Sequence, residues 1–132
     1  MAQTPTAVLI DDSKTTRACL RAYLTEIGYT VVAEGDVGEL ALPLYEKHRP
    51  TLITLDIVLP GIDGVAAAKQ LLAKHPKAAV VMCSSLNARD KVMACVKAGV
   101  AHYLLKPINP ERVKEVAQRI LKQAEGAAAA QG

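Results

Sequence analysis

Asp11-Asp12, Asp56, Ser84 and Lys106 each follow directly on a short apolar run. Three of these side chains are carboxylates, one is a hydroxyl and one an ammonium. If the fold gathers them, the acids repel one another at neutral pH, and a hard divalent cation relieves that repulsion. Mg²⁺ takes octahedral oxygen ligands, commonly one or two carboxylates completed by waters and a phosphate oxygen. Lys106 adds a compact positive charge able to reach a phosphoryl oxygen, and Ser84 adds a hydroxyl donor. Singly, each residue has a plainer reading. Asp11 and Asp12 suit the start of a helix as capping acids, Asp56 a turn, Ser84 a cap, Lys106 an ordinary surface position. What sets them apart is that all of them close apolar runs.

Five such runs alternate with five helical stretches. Residues 7–10 form the first run, followed by a helix from about Lys14 to Ile27, with Ser13 as its N-cap and Gly28 as its stop. Residues 29–33 form the second run. The next helix, about 38–48, contains Pro43, so a short, kinked or irregular helix is expected there. Residues 51–55 lead to Asp56 and the loop 57–64, then a helix over 65–74 closed by His75-Pro76. Residues 79–83 precede Ser84, a helix over about 88–98 ends at Gly99, and residues 100–105 precede Lys106. Pro110 opens the last helix, expected to end near Gln123. The remainder, 125–132, is Ala/Gly/Gln after Glu125 and is expected to fray or to be disordered.

Strand–helix alternation implies an α/β fold, a mainly parallel sheet with helices on both faces and right-handed crossovers. In such sheets ligands bind beyond the carboxyl ends of the strands. That rule collects Asp11, Asp12, Asp56, Ser84 and Lys106 along one edge.

The totals narrow the function classes. At 132 residues the chain suits one domain, and 51% hydrophobic residues suffice for a core. A net charge of +3, without clustered Lys/Arg or a reading motif, argues against nucleic-acid binding. Four Tyr, with neither Phe nor Trp, offer little stacking surface for a flavin or a nucleobase. The three cysteines, Cys19, Cys83 and Cys95, have no metal-ligand spacing and read as free thiols of a reducing cytoplasm. No signal-peptide pattern or membrane-length apolar run appears, so a cytoplasmic protein without a membrane partner is expected. His48, His75 and His102 are given no role, and alternation along the fifth strand suggests that His102 is exposed.

Four segments carry a family resemblance: Ile10-Asp11-Asp12-Ser13, the stretch Leu55-Asp56-Ile57-Val58-Leu59-Pro60-Gly61-Ile62-Asp63-Gly64, the pair Ser84-Ser85, and Tyr103-Leu104-Leu105-Lys106-Pro107. In this order, over nearly the whole chain, they resemble the receiver domains of two-component response regulators, of the stand-alone chemotaxis type. The resemblance implies a flavodoxin-like, doubly wound, five-stranded parallel sheet of order 2-1-3-4-5 with five helices. It implies a receiver domain over 6–124, a short N-terminal extension over 1–5 and an Ala-rich tail over 125–132.

It also implies roles. Asp56 is the phosphoacceptor. Asp11, Asp12, Asp56 and the backbone carbonyl of Val58 hold Mg²⁺ (or Mn²⁺). Ser84 binds the phosphoryl group and moves on activation, Tyr103 is the switch aromatic, and Lys106 precedes a cis proline. Val58 and Leu86 occupy the two variable positions beside the pocket. Both are apolar and unable to orient a water, which implies a long-lived aspartyl phosphate. The partners implied are a sensor histidine kinase or histidine phosphotransfer protein as donor and an unidentified downstream protein as target. The chain itself is expected to be a monomer or weak dimer, and a signalling domain, not an enzyme.

Three other readings compete. A haloacid-dehalogenase-like phosphatase also uses an aspartyl nucleophile with Mg²⁺, but in an Asp-x-Asp pattern after the first strand, where this chain has adjacent aspartates. A phosphorylation-independent binding module of receiver shape would tolerate an incomplete acidic pocket. A flavodoxin needs a hydroxyl-rich phosphate loop where Asp11-Asp12 stands.

Overall fold

The strand segments are apolar at nearly every position, not at alternate ones, which suits strands covered by helices on both sides. A computed structural model describes residues 4–85 and 89–131. Five parallel strands, β1 (Thr6–Ile10), β2 (Thr30–Gly35), β3 (Leu52–Asp56), β4 (Val80–Ser84) and β5 (His102–Leu105), lie in the order β2-β1-β3-β4-β5. Helices α1 (Lys14–Ile27), α2 (Ala41–His48), α3 (Gly64–Lys74), α4 (Arg89–Lys97) and α5 (Pro110–Gln131) alternate with them. This is the flavodoxin-like order.

Strand side chains are dealt alternately to two apolar layers. Val8, Ile10, Ile53, Leu55, Val80 and Met82 pack with Ala67, Ala68, Leu71 and Cys95 from α3 and α4. Ala7, Leu9, Leu52, Val81, Cys83 and Leu104 pack with Leu20 and Leu24 of α1 and with Val113, Val116, Ala117 and Ile120 of α5. Tyr29, just ahead of β2, is buried in this second layer and donates its hydroxyl to the Ala117 carbonyl at 2.9 Å.

The local signals for α1 act as the sequence suggests. The Ser13 Oγ accepts from the Thr16 N–H at 3.2 Å, and Gly28 closes the helix at φ 112°, a left-handed conformation that glycine adopts without strain. A 3₁₀ turn (Gly38–Leu40) leads into α2, where Pro43 is the third helical residue. A first-turn N–H has no intrahelical partner in any case, so the proline interrupts nothing. The irregularity therefore precedes α2 instead of kinking it. The last helix runs on through the Ala-rich segment to Gln131 instead of ending near Gln123, in keeping with the helix propensity of alanine.

His102 corrects an expectation: it is buried, and Leu105 is the residue of β5 that is exposed. β5 does alternate, but its covered face is the one that carries His102 and Leu104, where Leu104 packs with α5 residues, and its more open face carries Tyr103 and Leu105. Burial, with the Arg119 charge acting the same way, holds the His102 imidazole below its ordinary range. The unfolded chain therefore takes up this proton near pH 6.5 while the folded chain resists it. Stability from this group is full above pH 6.5 and declines as the pH falls toward the lower folded value. His102→Gln is expected to flatten the urea midpoint against pH below 6.5 relative to wild type. Superimposable profiles would remove His102 from the account.

Candidate functional site

Register sets the site. Ile10 pairs with Leu55, Asp56 with Cys83, and Ser84 with Leu105. The residues that follow these ladders must therefore emerge together at one edge of the sheet. Ladder-type bonds extend the alignment beyond the strands: Asp11 N–H to Gly35 O at 3.0 Å, Ile57 N–H to Cys83 O at 3.0 Å and Lys106 N–H to Ser84 O at 2.7 Å.

Asp56 is 6% exposed, and both its oxygens are held. Oδ1 accepts the Val58 N–H at 3.1 Å, and Oδ2 accepts from Lys106 Nζ at 2.8 Å. Asp11 is fully buried; its Oδ1 accepts the Ser13 N–H at 2.8 Å. Its Oδ2 lies 3.1 Å from Lys106 Nζ, in ion-pair contact but without a hydrogen bond. Burial pushes the Asp11 carboxyl above the usual carboxylate range, and the Asp56 charge pushes the same way against the Ser13 N–H and Lys106. Burial works against the Lys106 charge, yet its hydrogen bond to Asp56 and its ion pair with Asp11 hold its pKa above the ordinary lysine value. Asp12 is exposed at the mouth.

One oxygen from each of Asp11, Asp12 and Asp56 falls within 4.8 Å of the others. The donor set is all hard oxygen, it carries more negative than positive charge, and one buried carboxylate oxygen lacks a donor. These features fit a hard divalent cation. A pocket of about 270 Å³ opens over the cluster, lined by Asp12, Asp56, Val58, Ser85 and Lys106.

Ser84 and Tyr103 stand differently. Ser84 is buried at the end of β4, while its neighbour Ser85, half of the Ser84-Ser85 pair, forms the pocket wall. Tyr103 faces another hollow, shared with Leu105, Pro107, Asn109 and Arg112. It is half-buried, and its hydroxyl donates to the Val100 carbonyl at 3.0 Å. The Lys106–Pro107 peptide is cis. Val58 is 56% exposed beside the acids; Leu86, the other variable position, lies outside the described residues. Cys83, next to Asp56 across the ladder, has its thiol pushed far up by burial and stays protonated.

Two supports were missed from sequence. The Glu39 carboxylate accepts the Ile62 N–H at 2.7 Å and so clamps the loop after Asp56. Gly61, at φ 75°, lies against that carboxylate and leaves room for it. On the other side Arg17, bonded to Glu34, donates to the main-chain oxygen of Asp11. Glu39 reaches across 23 residues and the Glu34 brace of Arg17 across 17, so no local spacing announces them. The one available hint for Arg17 is its place one turn into the helix that follows the acidic pair.

A doubly wound sheet of this order, with acids and a lysine converging at its carboxyl edge, is the architecture of a receiver-type signalling domain. The chain belongs to the response regulator receiver domain family, whose sequence model matches residues 7–118. It is 30% identical over 115 residues to the chemotaxis protein CheY of Thermotoga maritima, covering 87% of this chain and 96% of that protein. It is 32% identical to the CheY of Listeria monocytogenes, covering 87% and 97%. Among solved structures, the REC domain of AraT, a response regulator from Geobacillus stearothermophilus, superposes with a TM-score of 0.87 at 26% identity, covering 96% of this chain and 99% of that one. Receiver domains are signalling domains that bind Mg²⁺ at an acidic pocket, take phosphoryl groups from histidine kinases and signal to downstream targets. Among the described residues no helix is long and apolar enough to cross a membrane.

Proposed function

We propose that this chain accepts a phosphoryl group on Asp56 from a phosphohistidine and relays the event through the face formed by α4, β5 and α5. The observation that carries the reading is the Asp56 carboxylate itself, anchored by the Val58 N–H and by Lys106 at the floor of an acidic pocket open to solvent. The carboxylate attacks phosphorus in line: an Oδ–P bond forms and the P–N bond to the donor histidine breaks. Such a transfer asks for positioning and charge neutralisation more than for proton chemistry. Lys106 meets the charge on the phosphoryl oxygens. Asp11, Asp12, Asp56 and the Val58 carbonyl are the ligands for Mg²⁺, which when bound supplies further neutralisation of the transferring group.

The acyl phosphate adds about two negative charges at the ends of β4 and β5. Ser84 turns its hydroxyl toward a phosphoryl oxygen and vacates space in the core. Tyr103 gives up its bond to Val100 and rotates inward. The α4–β5–α5 face thereby shifts between two packings, and a downstream protein reads whichever it prefers. The working unit on this reading is 6–124, with 1–5 and 125–132 as extensions.

The test is intact-mass measurement after incubation with acetyl phosphate and Mg²⁺. Wild type is expected to gain one phosphoryl group and Asp56→Asn none. No gain in wild type favours a phosphorylation-independent module and overturns the reading; an equal gain in Asp56→Asn moves the acceptor elsewhere.

A further inference from the structure

Arg17 lies outside the acidic pocket and is not among the residues that the resemblance implies. Its side chain is only 15% exposed, low for an arginine near a helix start. Its Nε donates to Glu34 Oε1 at 2.9 Å, and its Nη1 donates to the main-chain oxygen of Asp11. Glu34 is fixed in turn by Arg21, whose Nε donates to Oε2 at 3.0 Å. The Asp11 main chain is thus tied at both polar atoms, its N–H to the Gly35 carbonyl and its oxygen to Arg17. That oxygen belongs to the Asp11–Asp12 peptide. Asp12 is exposed, so packing does little to hold its carboxylate. Its direction follows from the peptide plane on which it hangs.

We propose that Arg17, braced by Glu34, is a positioning residue for divalent-cation binding, holding the Asp11–Asp12 peptide so that Asp12 points into the pocket. The inference rests on the reading of the three acids as the cation ligands. Its sign separates it from plain electrostatics. Arg17 carries a positive charge near a cation site, so removing that charge should tighten binding if charge were all that mattered. Loss of positioning acts the other way, and residues that orient metal ligands typically contribute about 10–100-fold in affinity.

Mn²⁺ affinity, measured by water-proton relaxation on the unphosphorylated full chain, tests this. Arg17→Ala is expected to weaken binding about 10-fold, Arg17→Lys to recover part of the loss, and Glu34→Gln, which keeps the arginine but loosens its brace, to fall between. Asp12→Asn is the control for the underlying reading. If Asp12→Asn leaves affinity unchanged, the ligand assignment itself fails. If Asp12→Asn weakens binding while Arg17→Ala leaves it equal or tighter, the positioning role alone is overturned, and a lower metal-free urea midpoint in Arg17→Ala does not rescue it. Should Arg17→Ala fail to fold, Glu34→Gln decides: unchanged affinity there overturns the proposal.

Discussion

Replacing Lys106 by Met is expected to slow phosphoryl uptake from acetyl phosphate by about 100-fold or more at saturating Mg²⁺, the scale seen when one preorganised group facing developing charge is removed. Methionine keeps most of the aliphatic stem and deletes only the ammonium, which sits 2.8 Å from Asp56 Oδ2 and 3.1 Å from Asp11 Oδ2. Two effects have to be separated. Losing the cation leaves two buried carboxylates facing each other, which favours binding of any external cation. Saturating Mg²⁺ removes that difference and leaves the transfer step exposed. Stability should also fall, though by less than the ~3–5 kcal/mol of a sealed ion pair broken on one side. The Lys106 side chain is 23% exposed, so water screens the acids, and a loss of about 1–2 kcal/mol is expected. Uptake within threefold of wild type would remove Lys106 from the transfer chemistry.

The largest stability effect belongs to a residue that takes part in no chemistry. Gly64 opens α3, and a Cβ there would sit 2.0 Å from the Asp56 carbonyl oxygen and 2.8 Å from the Ile57 Cα. These are main-chain atoms of the strand and loop that carry the acceptor, so no rotamer change relieves the contact. The helix cannot simply back away, because the Gly64 N–H donates to the Ile57 carbonyl at 2.8 Å. Gly64→Ala is expected to lower stability by about 3 kcal/mol or more, the upper range for overpacking. Gly28→Ala provides the comparison. Gly28 has φ 112° with nothing within 4 Å of a Cβ, so strain alone applies there, about 1–2 kcal/mol. Urea midpoints of the two variants are the measurement, and an order with Gly28→Ala the more damaging contradicts the close approach. Any Gly64→Ala protein that folds must also have displaced Asp56, so its phosphoryl uptake should fall with its stability.

The parts of the fold legible in the sequence were those written in short-range pattern. Continuous apolar runs marked covered strands, Ser13 and Gly28 marked the ends of a helix, and the polar residues closing the runs marked one edge of the sheet. From the alternation alone, Asp11, Asp56 and Lys106 could be placed together. The strand order came from the resemblance, not from any period. What escaped had a common origin in contacts between distant segments. His102 was misjudged because a single strand does not reveal which of its faces α5 covers. Pro43 fell within the first turn of α2 because the preceding residues wound into a 3₁₀ turn that propensity does not distinguish from α-helix. Glu39 supports the loop after Asp56 across 23 residues, and Arg17, which holds the nearby Asp11 carbonyl, is itself braced by Glu34 across 17.

The allocation of strand side chains to opposite layers has a practical corollary. The β-sheet behaves as a bulkhead: Val8 and Met82 lie in the layer under α3 and α4, Leu9 and Val81 in the layer under α1 and α5, so side chains of one layer cannot relax into a cavity opened in the other. Trimming Met82 therefore slackens the seat of α3 and α4, and trimming Val81 the seat of α1 and α5, so the proposed α4–β5–α5 face can be loosened from either side independently.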